Sequence, residues 1–151
     1  MDDVLTLSRR REEAAPSVHH HRGTSWKEHR CGPCPRSHDV QMPKRVRVPD
    51  VMVVTERPSG KITDQVPVVV AEVLSRDTRS IDLVDKWEEY AAFGIAQYWV
   101  LDPERRTLRL LRLVDGAWEE THLLDSDNDT AVVTVGDHGS VQLDLGEILG
   151  G

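Results

Sequence analysis

Residues 66–74 read VPVVVAEVL, and this stretch decides the fold of the 151-residue chain. It is apolar almost without interruption, which is typical of a strand buried on both faces of a sheet. Residues 79–93 then show apolar side chains at helical spacing and end at Gly94, so we predict a helix there. Residues 96–101 indicate a second buried strand. A strand, a helix and a strand in this order predict a sheet that is covered by a helix.

Strand patterns continue on both sides of this unit. Upstream, residues 46–54 read VRVPDVMVV and predict a strand that Pro49 and Asp50 interrupt. Downstream, Asp115-Gly116 separates two strand-like runs, which is a strong hairpin signal. The downstream strands and the closing C-terminal stretch are predicted at residues 107–114, 117–123, 131–135 and 141–149. We therefore predict an α/β fold class, with a central sheet and one main covering helix.

The first 37 residues differ in character from the rest. They show neither helical nor strand periodicity over most of their length, and residues 31–37 form a loop-like run rich in glycine, proline and serine. Such a segment buries too little apolar surface to offset the entropy of ordering it. We predict an irregular or disordered segment at residues 1–37 and a single domain at residues 38–151.

Composition and charge limit the classes of function. Residues 1–45 carry a net charge of +3, whereas the remaining residues carry −10 and account for the overall −7. An acidic body binds nucleic acid poorly without a bound cation or a local basic strip, because phosphate binding depends on Lys and Arg. The sequence has neither a long apolar run nor a secretory signal, so we expect a cytoplasmic location without membrane contact.

Two carboxylates stand where the sequence pattern predicts a dry interior. Glu72 lies inside the apolar run of residues 66–74, and Asp50 lies inside the strand-like run of residues 46–54. An unpaired carboxylate in such a place costs several kcal/mol or shifts its pKa upward. Two acids on neighbouring strands can instead share a divalent cation, which offsets both desolvation penalties.

Lys86 is a third charge in an unexpected position. On a helical wheel it falls between Tyr90 and Phe93, inside the apolar face that Leu83 and Trp87 begin. The i,i+4 row of Thr78, Asp82, Lys86 and Tyr90 also stacks four functional side chains along one side of the helix. A lysine that points into the sheet near two acids can orient a water molecule and offset charge in a phosphoryl transition state.

Purely structural interpretations of these residues stay open at this point. Asp50 follows a proline and is compatible with a β-bulge or an edge position. Glu72 is compatible with a strand that ends early, and Lys86 with a side chain that runs past Tyr90 to solvent. The order of the three residues, two acids and then a lysine on the following helix, nevertheless favours a catalytic metal site.

Five spaced blocks of the sequence resemble the Uma-two family, bacterial restriction-endonuclease-like proteins of the PD-(D/E)xK nuclease superfamily. The resemblance covers about residues 38–149. The blocks are Arg47-Val-Pro-Asp-Val51, Val69-Val-Ala-Glu-Val-Leu-Ser75, Asp82-x-x-x-Lys-x-x-x-Tyr90, Gly94-Ile-Ala-Gln-Tyr-Trp-Val-Leu-Asp102 and Leu143-Asp-Leu145.

The resemblance implies a restriction-endonuclease-like core, a mixed sheet flanked by helices, that hydrolyses phosphodiester bonds of DNA with Mg²⁺ or Mn²⁺. It implies Asp50 and Glu72 as metal ligands and, together with Lys86, as catalytic residues, while Leu74 replaces the superfamily's usual lysine. Ser75, Asp82 and Tyr90 are implied as supporting residues. A homodimer is the assembly expected of an enzyme that cuts both strands.

The N-terminal segment departs from the family pattern. Residues 1–37 show no helix with an extra acid in a Glu-Leu-Ile-Asp-Gly-like stretch, so the resemblance implies a divergent or truncated N-terminus. This departure leaves a second hypothesis open, a catalytically inactive remnant of the nuclease fold that serves as an interaction domain.

The two cysteines suggest separate alternatives. Cys31 and Cys34 have the spacing of a redox motif but lack the flanking strand and helix that lower a thiol pKa. Together with His29 and His38 they supply four ligands of the kind that bind zinc, although in a tight loop. A zinc module fused to an inactive core is therefore the third hypothesis, and the nuclease is the leading one.

Overall fold

The computed structural model describes residues 6–9, 39–42, 46–56, 62–75 and 81–150. No helix in these residues is long and apolar enough to cross a bilayer. The strands are β1 (Thr6–Arg9), β2 (Asp39–Gln41), β3 (Val46–Arg47), β4 (Val51–Val54), β5 (Ile62–Thr63), β6 (Val69–Val73), β7 (Gln97–Asp102), β8 (Thr107–Val114), β9 (Ala117–Leu124), β10 (Thr130–Thr134) and β11 (Ser140–Asp144). The helices are α1 (Ile81–Phe93) and α2 (Leu145–Leu149).

Six of the described strands form one mixed sheet, in the order β1-β4-β6-β7-β8-β9. β6 and β7 run parallel and are connected through α1, whereas the other neighbours in this sheet pair antiparallel. The β8–β9 hairpin turns at Asp115 and Gly116, whose φ angles of 50° and 81° are both positive, as a type I′ turn requires. The predicted order of strands around the helix is confirmed.

One face of this sheet, here called the helix face, packs against α1. Its core includes Met52 of β4, Val70 of β6, Tyr98 of β7 and Leu111 of β8, together with Tyr90 of α1. Successive residues of a strand point to opposite faces, so these positions also identify which of their neighbours share the helix face. Burial of this cluster holds α1 against the strands that carry the predicted acids.

The opposite face, here called the hairpin face, is covered by the C-terminal elements. Leu101, Leu108, Leu110 and Leu124 of the sheet pack there, and the covering residues are Val133 of β10, Leu143 of β11 and Leu145 of α2. Helices therefore flank the sheet on both faces, which confirms the predicted class of fold.

An aromatic cluster joins α1 to the middle of the sheet. The ring of Tyr98 lies 5.3 Å from that of Tyr90, 6.3 Å from that of Trp87 and 5.7 Å from that of Trp118. The Trp118 indole N–H also donates a hydrogen bond of 2.9 Å to the Trp87 carbonyl oxygen. Edge-on aromatic contacts add to the free energy of area burial. The cluster therefore helps to hold α1 against the sheet.

Two elements differ from the sequence prediction. The strand predicted at residues 46–54 is divided into β3 and β4, because Pro49 and Asp50 lie outside regular pairing. In the segment predicted to be irregular, Thr6–Arg9 forms β1 and pairs with β4. Pairing of β1 rests on backbone hydrogen bonds, which side-chain periodicity does not reveal.

The last predicted stretch consists of β11 and α2, and Asp144 joins them. The Asp144 carboxylate accepts a hydrogen bond of 3.0 Å from the backbone N–H of Glu147 and caps the start of α2. Gly150 follows the helix in the left-handed conformation.

We expect Asp144→Ala to lower the free energy of unfolding by about 1 kcal/mol, because α2 carries Leu145 into the hairpin-face core. Urea unfolding measures this effect. Asp137→Ala, at an exposed turn position, is the matched control, and an equal loss in both variants would contradict the capping role.

Candidate active site

Glu72 is the buried centre of the site. It lies on the helix face of β6, two residues after Val70, and only 4% of its surface is exposed. The Tyr90 hydroxyl donates a hydrogen bond of 2.6 Å to Glu72 Oε1, and the Lys86 ammonium lies 3.0 Å from Glu72 Oε2. Both oxygens of the carboxylate are therefore held by side chains of α1.

The helix brings Lys86 and Tyr90 to Glu72 because they are four residues apart and occupy the same side of α1. The Lys86 side chain is only 18% exposed, and its ammonium ends on a buried carboxylate. The interpretation in which Lys86 runs past Tyr90 to solvent is therefore wrong. The aromatic cluster, which includes Tyr90, keeps this side of the helix against the sheet.

Asp50 lies beside Glu72 at the ends of β4 and β6. The antiparallel register pairs Val51 with Ala71, and continued by one residue it places Asp50 opposite Glu72. Asp50 Oδ2 accepts a hydrogen bond of 2.8 Å from the backbone N–H of Val73. This bond holds the Asp50 carboxylate on the strand that carries Glu72, although regular pairing has ended. Neither a bulge nor an edge position is needed to explain Asp50.

The electrostatics of the site depend on burial. Burial raises the pKa of the Glu72 carboxyl, while the hydrogen bond from Tyr90 and the charge of Lys86 act in the opposite direction. The charge of Asp50 adds a further upward contribution to the pKa of Glu72. Burial and the nearby Glu72 carboxylate also raise the pKa of the Tyr90 hydroxyl, which keeps it protonated as a donor. Desolvation is therefore the largest influence on the pKa of Glu72, and the two side chains of α1 oppose it.

The donor set is of the type that suits a hard divalent cation. In the described part of the chain, no group of three or more His, Cys, Asp or Glu residues is arranged to hold a metal ion. Mg²⁺ is often held by one or two carboxylates, with water and substrate phosphate as its remaining ligands. An ionised carboxylate has about four lone-pair sites, so the bonds from Tyr90 and Lys86 leave acceptor capacity on Glu72. Asp50 and Glu72 therefore fit an ion of this class.

Arg47 and Glu89 adjoin the site and were missed from the sequence. Arg47 Nε of β3 lies 2.6 Å from Glu89 Oε2 of α1, and both side chains are partly buried. Burial and Glu72 raise the pKa of the Tyr90 hydroxyl, and the charge of Arg47 opposes this rise, so the guanidinium is within electrostatic range of the site. The sequence offered one indication of Arg47, because this residue begins the block Arg47-Val-Pro-Asp-Val51 that carries Asp50.

Two other predicted residues, Ser75 and Asp82, lie near the ends of β6 and α1. Ser75 is exposed just beyond the end of β6. Asp82 lies in the first turn of α1, and its side chain lies outside the described part of the structure. Cys31, Cys34 and the two histidines proposed with them also lie outside the described residues, so zinc binding and redox function stay untested sequence hypotheses.

Comparisons with known proteins find a matching family model and a similar solved structure. The family model Uma2, described as "Putative restriction endonuclease", matches residues 22–146, so the match begins within the segment predicted to be irregular. A solved structure described as a "putative nuclease belonging to DUF820", from Anabaena variabilis, is similar with a TM-score of 0.59 and 20% sequence identity. The similarity covers 76% of this chain and 65% of that one, and at this identity it shows the fold alone. A comparison with curated proteins yields no match.

Proposed function

Because this chain belongs to the Uma2 family, we propose that it is a metal-dependent endonuclease that hydrolyses phosphodiester bonds of DNA. The observation that carries the proposal is the buried Glu72 carboxylate, held by Lys86 and Tyr90 and adjoined by Asp50. A buried ion pair is often no more stable than apolar residues of the same volume. A site that retains this pair therefore favours chemistry over a purely structural role.

The side chains divide the work of hydrolysis between them. Water adds through its oxygen to phosphorus, and one phosphorus–oxygen ester bond breaks. A Mg²⁺-class ion held by Asp50 and Glu72 would polarise the scissile phosphate and lower the pKa of the attacking water. In this proposal Lys86, whose ammonium lies 3.0 Å from Glu72 Oε2, orients that water and offsets charge that develops on the phosphoryl oxygens.

Tyr90 acts as a positioning residue in this proposal. Its hydroxyl donates to Glu72 Oε1 and leaves Oε2 beside Lys86, so the carboxylate plane is fixed before substrate arrives. Groups that hold a metal ligand in place usually contribute to metal affinity. DNA is the proposed substrate, and a homodimer is the proposed assembly for cutting both strands.

A plasmid-nicking assay tests the proposed function. We expect the purified protein to convert supercoiled plasmid to the open circular form with Mg²⁺ or Mn²⁺, and to lose this activity in EDTA because the two carboxylates need a cation to act. Gel electrophoresis over a time course measures the rate. A folded protein that leaves plasmid intact with both metals would contradict the nuclease and favour the inactive interaction domain.

A further inference from the structure

A row of paired residues crosses the helix face from the site towards β9. The strand register pairs Glu72 with Val100, Val100 with Arg109, and Arg109 with Leu123. Side chains of directly paired residues in neighbouring strands point to the same face of a sheet. Arg109 of β8 therefore shares the helix face with Glu72, and Asp50 continues the row on the other side.

The distance along this row matches the scale of a nucleic acid strand. Neighbouring strands lie about 4.8 Å apart, so the backbone at Arg109 is about 10 Å from that at Glu72. One strand of duplex DNA carries a phosphate every ~3.4 Å of helix axis, so a phosphate near the scissile one can lie within reach of Arg109. Val100, which lies between the two, is buried and apolar and offers no competing charge.

Arg109 is available to a ligand in a way that Lys86 is not. Its side chain is 53% exposed, and its partner is Glu120, with Arg109 Nε 2.7 Å from Glu120 Oε2. An ion pair between exposed side chains contributes little free energy, so a phosphate can replace the carboxylate at small cost. Arginine also presents a planar donor fork that matches phosphate oxygens.

We propose that Arg109 binds a DNA phosphate close to the scissile one, and that Glu120 holds the guanidinium in place in the free protein. The inference rests on the proposed nuclease function and adds a substrate-binding residue to it. It also supplies the local basic contact that an acidic body requires before a polyanion can approach.

Arg112 provides a matched control on the same strand. It is exposed like Arg109, but it pairs with Gln97, which lies on the hairpin face one residue from Tyr98. Both substitutions therefore remove one positive charge from β8. Arg112→Gln removes it from the hairpin face, and Arg109→Gln removes it from the helix face. Any effect of net charge alone is equal in the two variants.

The experiment measures binding of a fluorescent DNA duplex by anisotropy in EDTA, over a range of salt concentrations. We expect Arg109→Gln to weaken binding about tenfold and to reduce the slope of log affinity against log salt by about 1, because one phosphate contact is lost. Arg112→Gln should leave the slope unchanged, and Glu120→Gln should strengthen binding. In the nicking assay, Arg109→Gln should raise KM and leave kcat close to the wild-type value.

Failure of this inference is distinguishable from failure of the proposed function. Equal slopes in Arg109→Gln and Arg112→Gln, or no binding of DNA by the wild-type protein, would overturn the role of Arg109. Because binding is measured without metal, that result does not depend on cleavage. Loss of nicking in the wild-type protein, with a selective effect of Arg109→Gln on binding, would refute hydrolysis alone.

Discussion

Glu72→Gln will lower the rate of metal-dependent nicking by about 1,000-fold while the chain stays folded. Glutamine keeps the size of the side chain and one acceptor oxygen, but it removes the negative charge that a divalent cation requires. Burial already raises the pKa of Glu72, so removal of the charge relieves a desolvation cost and limits any loss of stability. Plasmid nicking measures the rate, and circular dichroism during heating measures the fold.

Glu88→Gln is the control for this substitution. Glu88 is an exposed residue of α1, and it faces away from the side of the helix that carries Lys86 and Tyr90. We expect the control to nick plasmid at the wild-type rate. Wild-type activity in Glu72→Gln would place the chemistry elsewhere in the protein. If Glu72→Gln unfolds, Lys86→Met tests the site in its place.

Lys86→Met will lower the nicking rate by about 100-fold and the free energy of unfolding by about 2 kcal/mol. Methionine keeps an unbranched apolar side chain of similar length, but Glu72 loses the ammonium 3.0 Å from its Oε2. A buried carboxylate without its partner is costly, and the residual exposure of Lys86 makes the loss smaller than for a fully buried pair. Urea unfolding and plasmid nicking measure the two effects separately.

The double variant Lys86→Met with Glu72→Gln separates stability from chemistry. Removing both charges should restore most of the free energy of unfolding, because no unpaired charge is left in the core, while activity stays absent. Additive losses of stability in the double variant would show that the two side chains do not interact in the folded protein. Restored activity would contradict the role of both residues.

Much of the fold could be predicted because its signals are local. The continuous apolar run at β6, the helical spacing in α1 and the Asp115-Gly116 turn each depend on a short window of sequence. Burial of a polar side chain among apolar neighbours is also a local signal, and it singled out Glu72. Asp50 and Lys86 were found for the same reason.

Other features could not be predicted because they depend on which distant segments meet. The pairing of β1 with β4, the aromatic contacts of Tyr98 and the ion pair of Arg47 with Glu89 all join residues far apart in the chain. Backbone hydrogen bonds and ring contacts of this kind leave no period in the sequence.

The sequence by itself determined where the strands and the main helix lie, and which three charges stand in apolar surroundings. The tertiary structure decided that Lys86 and Tyr90 meet Glu72 on one face, and that Arg109 shares this face with them. The physical reason is that periodicity reports the face of a single element, whereas register between elements is set by packing. A shift of one residue in the β6–β7 or β7–β8 register would turn Arg109 to the opposite face from Glu72.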